Sequence, residues 1–289
     1  MKGRSVSDLS PPWNDRGHRA IQLIAQQPHA EELLSFYLRL LQLQEPIYRH
    51  TLRSDWLSRV RSPVEGDARP LRLDQLPLVP LLPLLQRFLN ALTTSATDVL
   101  IVISRALCSA GEAVQTELLE LFLHRTGVER LAASLNCEPA QIEFFPRAFI
   151  QPIAEALAEQ NSRTVVSSLR DSCPQCSWPP QVAVIRDEAE VRGHRLLVCS
   201  LCATLWSFPR STCPNCGESR PDRLQYHTAD STPHLRVEEC LTCRSYLKSV
   251  DLREVGLAVP LVEDLASVEL DLWSQERELL KVQRNVLGF

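Results

Sequence analysis

Glycine is scarce in this chain. There are nine in 289 residues, and no two lie within five positions of each other. A dinucleotide-binding G-x-G-x-x-G turn and a phosphate-cradling P-loop are therefore both excluded. The chain has no H-E-x-x-H and no G-x-S-x-G, so neither a zincin helix nor a serine nucleophile elbow is present. No side chain reads as a nucleophile beside its base, and no catalytic residue is assigned. Long apolar runs are missing too: the most apolar stretch, Leu76 to Leu85, is interrupted by Pro77, Pro80 and Pro83 and is too short to cross a bilayer. Met1 to Arg16 is polar and lacks the apolar core of an export signal. A cytoplasmic protein without membrane insertion is expected. Basic surplus is also absent. Lys and Arg number 31 against 35 Asp and Glu, a formal charge of −4, which leaves no electrostatic footprint for nucleic acid or an anionic membrane.

What the chain does have is cysteine, ten in all. Eight form four Cys-x-x-Cys knuckles: Cys173/Cys176, Cys199/Cys202, Cys213/Cys216 and Cys240/Cys243. Each such turn supplies half of a tetrahedral metal site, so four make two complete sites. The intervals are 22 residues between Cys176 and Cys199, 10 between Cys202 and Cys213, and 23 between Cys216 and Cys240. Each long interval can hold a hairpin, and the short one reads as a linker. Residues 173–210 and 211–255 then form two copies of one ribbon. Cys173-Pro174-Gln175-Cys176 repeats as Cys213-Pro214-Asn215-Cys216, and Leu196-Leu197-Val198 is echoed by Leu235-Arg236-Val237. The repeat pairs the first knuckle with the second and the third with the fourth; an interleaved pairing stays open.

Disulfides within such short turns are strained and easily reduced, and a reducing cytoplasm favours metal. Four sulfurs in a tetrahedron suit both iron and zinc. Gly217 after the third knuckle allows the left-handed backbone that turns amides toward thiolates, whereas Ser177 stands at that place in the first copy. Two divalent ions bound by eight thiolates would take the formal charge to about −8. With all eight sulfurs engaged, His194, His227 and His234 are not expected as ligands. Trp206 and Tyr246 are expected to cover the metal loops. Cys108 and Cys137 read as small buried apolar residues.

The rest of the chain reads as helix. Residues 1–16 are expected as a flexible lead and 17–165 as one all-helical domain. Within it the patterns predict helices over 19–44, 47–60, 81–92 and 96–107, with 62–80 as a connecting loop. The 96–107 helix is apolar nearly all round, which points to the centre of the core. Ser109-Ala110-Gly111-Glu112 fits a capping box, and Gly127 a C-terminal stop. A short helix follows over 128–135. A segment over 139–159 is expected to be broken or kinked near Pro146 and Pro152. After the ribbons, 260–282 reads as a single C-terminal helix. The fold class expected is thus an all-helical N-terminal domain, two tandem rubredoxin-like or zinc-ribbon-like modules with small metal-bound β structure, and a C-terminal helix.

From Cys173 to Asp271 the chain resembles the formate dehydrogenase accessory protein family, FdhE. The resemblance is carried by Cys199-Ser200-Leu201-Cys202 with Trp206, by Cys213 and Cys216, by Tyr246-Leu247-Lys248 and by Asp264-Leu265-Ala266-Ser267. It implies a non-enzymatic cytoplasmic assembly factor that contacts the catalytic subunit of a respiratory, molybdenum-dependent formate dehydrogenase. It also implies two metal ions per chain, iron favoured and zinc the alternative. The ligands carried over are Cys173, Cys176, Cys199 and Cys202 for one site, and Cys213, Cys216, Cys240 and Cys243 for the other. Two other functions compete. A zinc-ribbon nucleic-acid binder is disfavoured because residues 173–253 hold ten Lys and Arg against nine Asp and Glu. A rubredoxin-like electron carrier leaves a helical domain of full domain size unexplained.

Overall fold

The computed structural model describes residues 10–61, 71–161, 166–167, 171–229 and 232–289. The lead over 1–9, the loop over 62–70 and the junction over 162–165 lie outside the described residues.

Helices come first: α1 (Pro11–Gln26), α2 (Glu31–Leu52), α3 (Trp56–Val60), α4 (Leu78–Leu92), α5 (Asp98–Ala110), α6 (Glu112–Leu123), α7 (Glu129–Ser134) and α8 (Pro139–Gln160). Helix α1 opens at Pro11, inside the expected lead, because proline's fixed φ suits a first helical position. Helix α2 runs through Pro46 without a break, so the expected separate helix over 47–60 is the end of α2 plus the short α3. The expected 62–80 loop ends early, since α4 begins at Leu78.

The centre of the helical core is α8, not α5. Every residue of α8 from Phe144 to Ala158 is buried, with α2 packed along it. In α5 only Ile103, Ser104 and Leu107 are buried, and Val102 is 65% exposed, so an all-round apolar sequence covers only one stripe. Helix α8 also passes Pro146 and Pro152 unbroken. Pro152 has no N–H for the carbonyl of Ala148. The side-chain amide of buried Gln44, on α2, donates to that carbonyl instead, at 2.7 Å.

Two helix ends also differ from expectation. Gly111 itself is the N-cap of α6, at φ 83°, with no side-chain cap bond, so Ser109 forms no capping box; the box present is Glu138 with Gln141 at the start of α8. Helix α6 is stopped by Arg125 rather than Gly127. Arg125 takes φ 57°, its N–H donates to the Phe122 carbonyl, and that of Thr126 to the Leu121 carbonyl, a Schellman closure.

The second half is one sheet, not two separate ribbons. Its strands are β1 (Val166–Ser167), β2 (Pro180–Arg186), β3 (His194–Cys199), β4 (Leu205–Ser207), β5 (Leu224–Thr228), β6 (Leu235–Cys240), β7 (Ser245–Asp251) and β8 (Leu280–Lys281). The order is β1-β4-β3-β2-β7-β6-β5, with β8 beside β7. The first copy contributes β2 to β4 and the second β5 to β7. They fuse where β2 pairs with β7 in parallel, Val182 to Ile185 against Lys248 to Asp251. Side chains alternate between faces with the period of a strand. Ala183, Leu197 and Leu247 join the helical core, while Val182, Val184, Leu196 and Val198 join a second core with Leu261, Leu270 and Leu279.

Residues 260–282 are not one helix. They form α9 (Pro260–Ala266), α10 (Val268–Glu276) and β8. The break falls at Ser267, whose carbonyl and hydroxyl both accept from Lys248 Nζ, at 3.2 and 3.1 Å. Helix α9 packs against α1, α2 and β2, and Arg19 of α1 meets buried Glu263 of α9 at 2.5 Å. The chain's two halves share one core.

Candidate metal centres

Each Cys-x-x-Cys turn is built the same way. After its second cysteine comes a left-handed residue: Ser177 (φ 60°), Ala203 (54°), Gly217 (76°) and Arg244 (56°). That conformation aims backbone amides at the sulfurs. Gln175 and Asn215 donate to Cys173 and Cys213 Sγ, and Leu201 and Cys202 to Cys199 Sγ, each at 3.4 Å. Gly217 is thus one of four such positions and the only one with a residue suited to it. No heavy atom lies within 4 Å of a Cβ built on Gly217, so G217A introduces backbone strain alone. It is expected to destabilise the second cluster by about 1 kcal/mol in chemical denaturation of the metal-loaded protein.

The four turns bring eight sulfurs into two clusters. Cys173, Cys176, Cys199 and Cys202 form one, and Cys213, Cys216, Cys240 and Cys243 the other, with all sulfurs of a cluster within 4.8 Å of one another. Sulfur–sulfur distances are 3.6 Å for Cys173–Cys202, 3.4 Å for Cys176–Cys199 and Cys176–Cys202, 3.8 Å for Cys213–Cys243 and 3.7 Å for Cys216–Cys240. Sulfurs about 2.3 Å from a shared tetrahedral metal would stand about 3.8 Å apart, and a disulfide only about 2.05 Å. The donor set and its spacing therefore fit one tetrahedral ion per cluster. The geometry follows consecutive pairing of knuckles, not the interleaved one. Cys108 and Cys137 lie apart from both clusters and are half-buried rather than buried.

The two clusters differ in burial. All four cysteines of the first are buried, whereas in the second Cys216 is exposed and Cys243 half-buried. Burial pushes the Cys176 and Cys199 thiols well up, while hydrogen bonds from its three sulfur neighbours hold Cys173 well down against its own burial. In the second cluster burial pushes Cys213 up to about 12. Cys243 is drawn down to about 6: its burial is outweighed by Ser245, whose hydroxyl lies 2.9 Å away, together with Asn215 and Cys216. Four thiolates cannot coexist in so little solvent without a cation to hold them. A water-soluble alkylating reagent is expected to reach Cys216 before any cysteine of the first cluster. A chelator should likewise strip the second cluster first, with peptide mass mapping recording the order.

None of the histidines joins a cluster. His194 pairs with Glu188, His227 with Glu239 and His234 with Glu263, at 2.8, 2.8 and 3.2 Å. Trp206 is fully buried in the core that includes the first cluster. Tyr246 lines a small cavity beside Cys213 and Cys240 but spends its hydroxyl on Asp271, at 2.7 Å.

Two family models match this arrangement. The FdhE central domain matches residues 172–210, and the FdhE C-terminal domain residues 212–287. The whole fold also resembles the crystal structure of the FdhE protein from Pseudomonas aeruginosa, with a TM-score of 0.67, 26% sequence identity and 94% of each chain covered. Residues 172–287 thus match FdhE domains by sequence, and nearly the whole chain is similar to an FdhE protein in fold. A protein FdhE homolog of Aquifex aeolicus is 39% identical over 148 residues, covering 51% of this chain and 52% of that one. Another, from Pseudomonas aeruginosa, is 31% identical over 172 residues, covering 55% and 56%. The chain spans about half the length of these curated relatives. The boundary between the two FdhE domains falls in the interval between Cys202 and Cys213, yet β2 and β7 join them in one sheet.

One further constellation was not foreseen. Lys248 and Lys281 are buried with Asp264 and Asp271, two charges of each sign. Lys248 Nζ lies 3.0 Å from Asp264 and 2.6 Å from Asp271; Lys281 Nζ lies 2.7 and 3.0 Å from the same two. Gln181, Asn285 and the Tyr246 hydroxyl complete the carboxylates' hydrogen bonds. Lys248 and Asp264 sit in segments that carry the FdhE resemblance. Their pairing had no local signal, because the four charges come from β7, α9, α10 and β8 and follow no shared period.

Proposed function

We propose that this chain is an assembly factor for a respiratory, molybdenum-dependent formate dehydrogenase, acting in the cytoplasm on the enzyme's catalytic subunit. The observation that carries the reading is the pair of four-sulfur clusters set in an FdhE fold that matches a solved FdhE protein over 94% of both chains. Cys173, Cys176, Cys199 and Cys202 hold one metal ion, and Cys213, Cys216, Cys240 and Cys243 the other. Iron is the favoured ion because the FdhE resemblance implies it; zinc is the alternative, since an all-sulfur tetrahedral site suits both. Bound metal supplies a rigid cross-link and, if iron, a one-electron couple. The chain's own residues hold the sulfurs in register and present the surface that meets the partner. No residue is assigned a catalytic role.

In a strain lacking the gene, formate dehydrogenase activity should fall to background and return with the wild-type chain. The tagged protein drawn anaerobically from such cells should bring the dehydrogenase catalytic subunit with it and carry two metal ions. Unchanged activity in the deletion strain would overturn the reading.

A further inference from the structure

Against the Trp178 ring, next to the first knuckle, stands a cation with no carboxylate partner among the described residues. Arg147, in the middle of α8, is buried, and among the described residues its guanidinium meets only neutral groups. Its Nη1 lies 3.5 Å from the Arg284 carbonyl, and the Gln283 amide, with its oxygen and nitrogen exchanged, accepts from Nη2 at 2.8 Å and from Nη1 at 3.2 Å. Its Cζ lies 5.7 Å from the Trp178 ring and 5.8 Å from that of Phe122, two rings only 4.8 Å apart. No carboxylate among the described residues lies within ion-pair distance of it. Glu143, one turn earlier on α8, is exposed. Glu155, a charged neighbour of the cluster on the Cys202 side, is already matched by Arg16 through two bonds of 3.0 and 2.9 Å. A buried guanidinium with neutral partners alone is strongly unfavourable.

Trp178 ties this cation to the cluster. Its carbonyl accepts from the Cys173 amide at 2.9 Å, so the ring on which Arg147 rests belongs to the first knuckle. Arg125 rests on the same ring, with its Cζ 5.4 Å away, but it is exposed and can be screened by water. Burial pulls the Arg147 guanidinium down to about 10, and the Glu143 and Cys199 charges oppose that pull.

We propose that Arg147 is the counter-ion of the first cluster: its fixed charge offsets the negative metal–thiolate unit and sets that cluster's metal retention and reduction potential. This rests on the reading of the cluster as a metal site. Four thiolates around a divalent ion carry −2, and around trivalent iron −1. A nearby cation stabilises the more negative form more, so Arg147 raises the reduction potential. The second cluster, with exposed Cys216, relies on solvent instead.

The test uses the full chain loaded anaerobically with iron, with both clusters followed in a spectroscopic redox titration and the first assigned in a C216S background. R147M should lower the potential of the first cluster and leave the second where it is. R147K, which keeps the charge, should stay close to wild type. In zinc-loaded protein, R147M should release first-cluster metal to a chelator at least about tenfold faster. R147Q, which retains a donor for the Arg284 carbonyl, serves the same comparison if R147M does not fold. An unmoved first-cluster potential in the neutral variants would overturn the proposal, as would an equal fall in R147K, which would mark a packing role. A wild-type chain that retains no metal at either cluster would remove the underlying reading, and that result appears before any variant is made.

Discussion

C199S is expected to leave no stable fold, whereas C216S should lose one metal ion and little else. Cys199 closes the first cluster at the end of β3, and that cluster is part of the core built on α8, with Phe145, Phe149 and Leu201 in the same packed set. Structural metal in small cysteine sites contributes on the order of 10 kcal/mol. A whole domain is typically stable by about 5–15 kcal/mol. Losing the first ion also leaves three buried sulfurs uncoordinated inside that core. Cys216 lies at the rim, exposed, and its loss frees a turn already in water. Circular dichroism melts and metal analysis on the two purified variants check the contrast: about one ion per chain for C216S with helical signal intact, and aggregation or a lost cooperative melt for C199S. An intact cooperative melt in C199S would show that the first cluster is not structural.

K248M should destabilise the second half by about 3–5 kcal/mol, because it leaves two buried aspartates facing a single lysine. The effect has a pH signature. Burial alone would raise the Asp264 carboxyl, but Lys248 and Lys281 hold it down to about 2. An aspartate with a depressed folded pKa contributes stability that is present above its unfolded pKa, about 3.9, and is lost as pH falls toward the folded value. Wild type should therefore lose stability between about pH 4 and pH 2 through this group. K248M should show a smaller loss there, since much of the attraction that held Asp264 ionised is already gone. Urea midpoints measured across that range separate the two curves.

Much of the candidate site was legible in the sequence because a Cys-x-x-Cys turn is local. Two sulfurs three residues apart meet whatever surrounds them, and the repeat of intervals indicated which pairs share a cluster. The left-handed residue after each knuckle was visible only at Gly217; Ser177, Ala203 and Arg244 adopt the same backbone because the turn imposes it. Helices were legible where apolar spacing was regular. The errors cluster at proline and at polar diversions. Pro152 reads as a break until Gln44, more than a hundred residues away, satisfies the carbonyl it frees. Ser267 reads as mid-helix until Lys248 takes its carbonyl.

The sequence by itself determined the four Cys-x-x-Cys knuckles, the absence of the glycine motifs that cradle nucleotides, and the helical character of the first half, since each depends on residues within a few turns of one another. Tertiary structure alone decided that the two ribbons are one sheet, that α8 and not α5 forms the core's axis, and that the first cluster is buried while the second meets water. It also decided that Lys248, Lys281, Asp264 and Asp271 share a site and that Arg147 rests on the ring of Trp178, beside the first knuckle. Those outcomes depend on which surfaces bury each other and on charges brought together from distant parts of the chain.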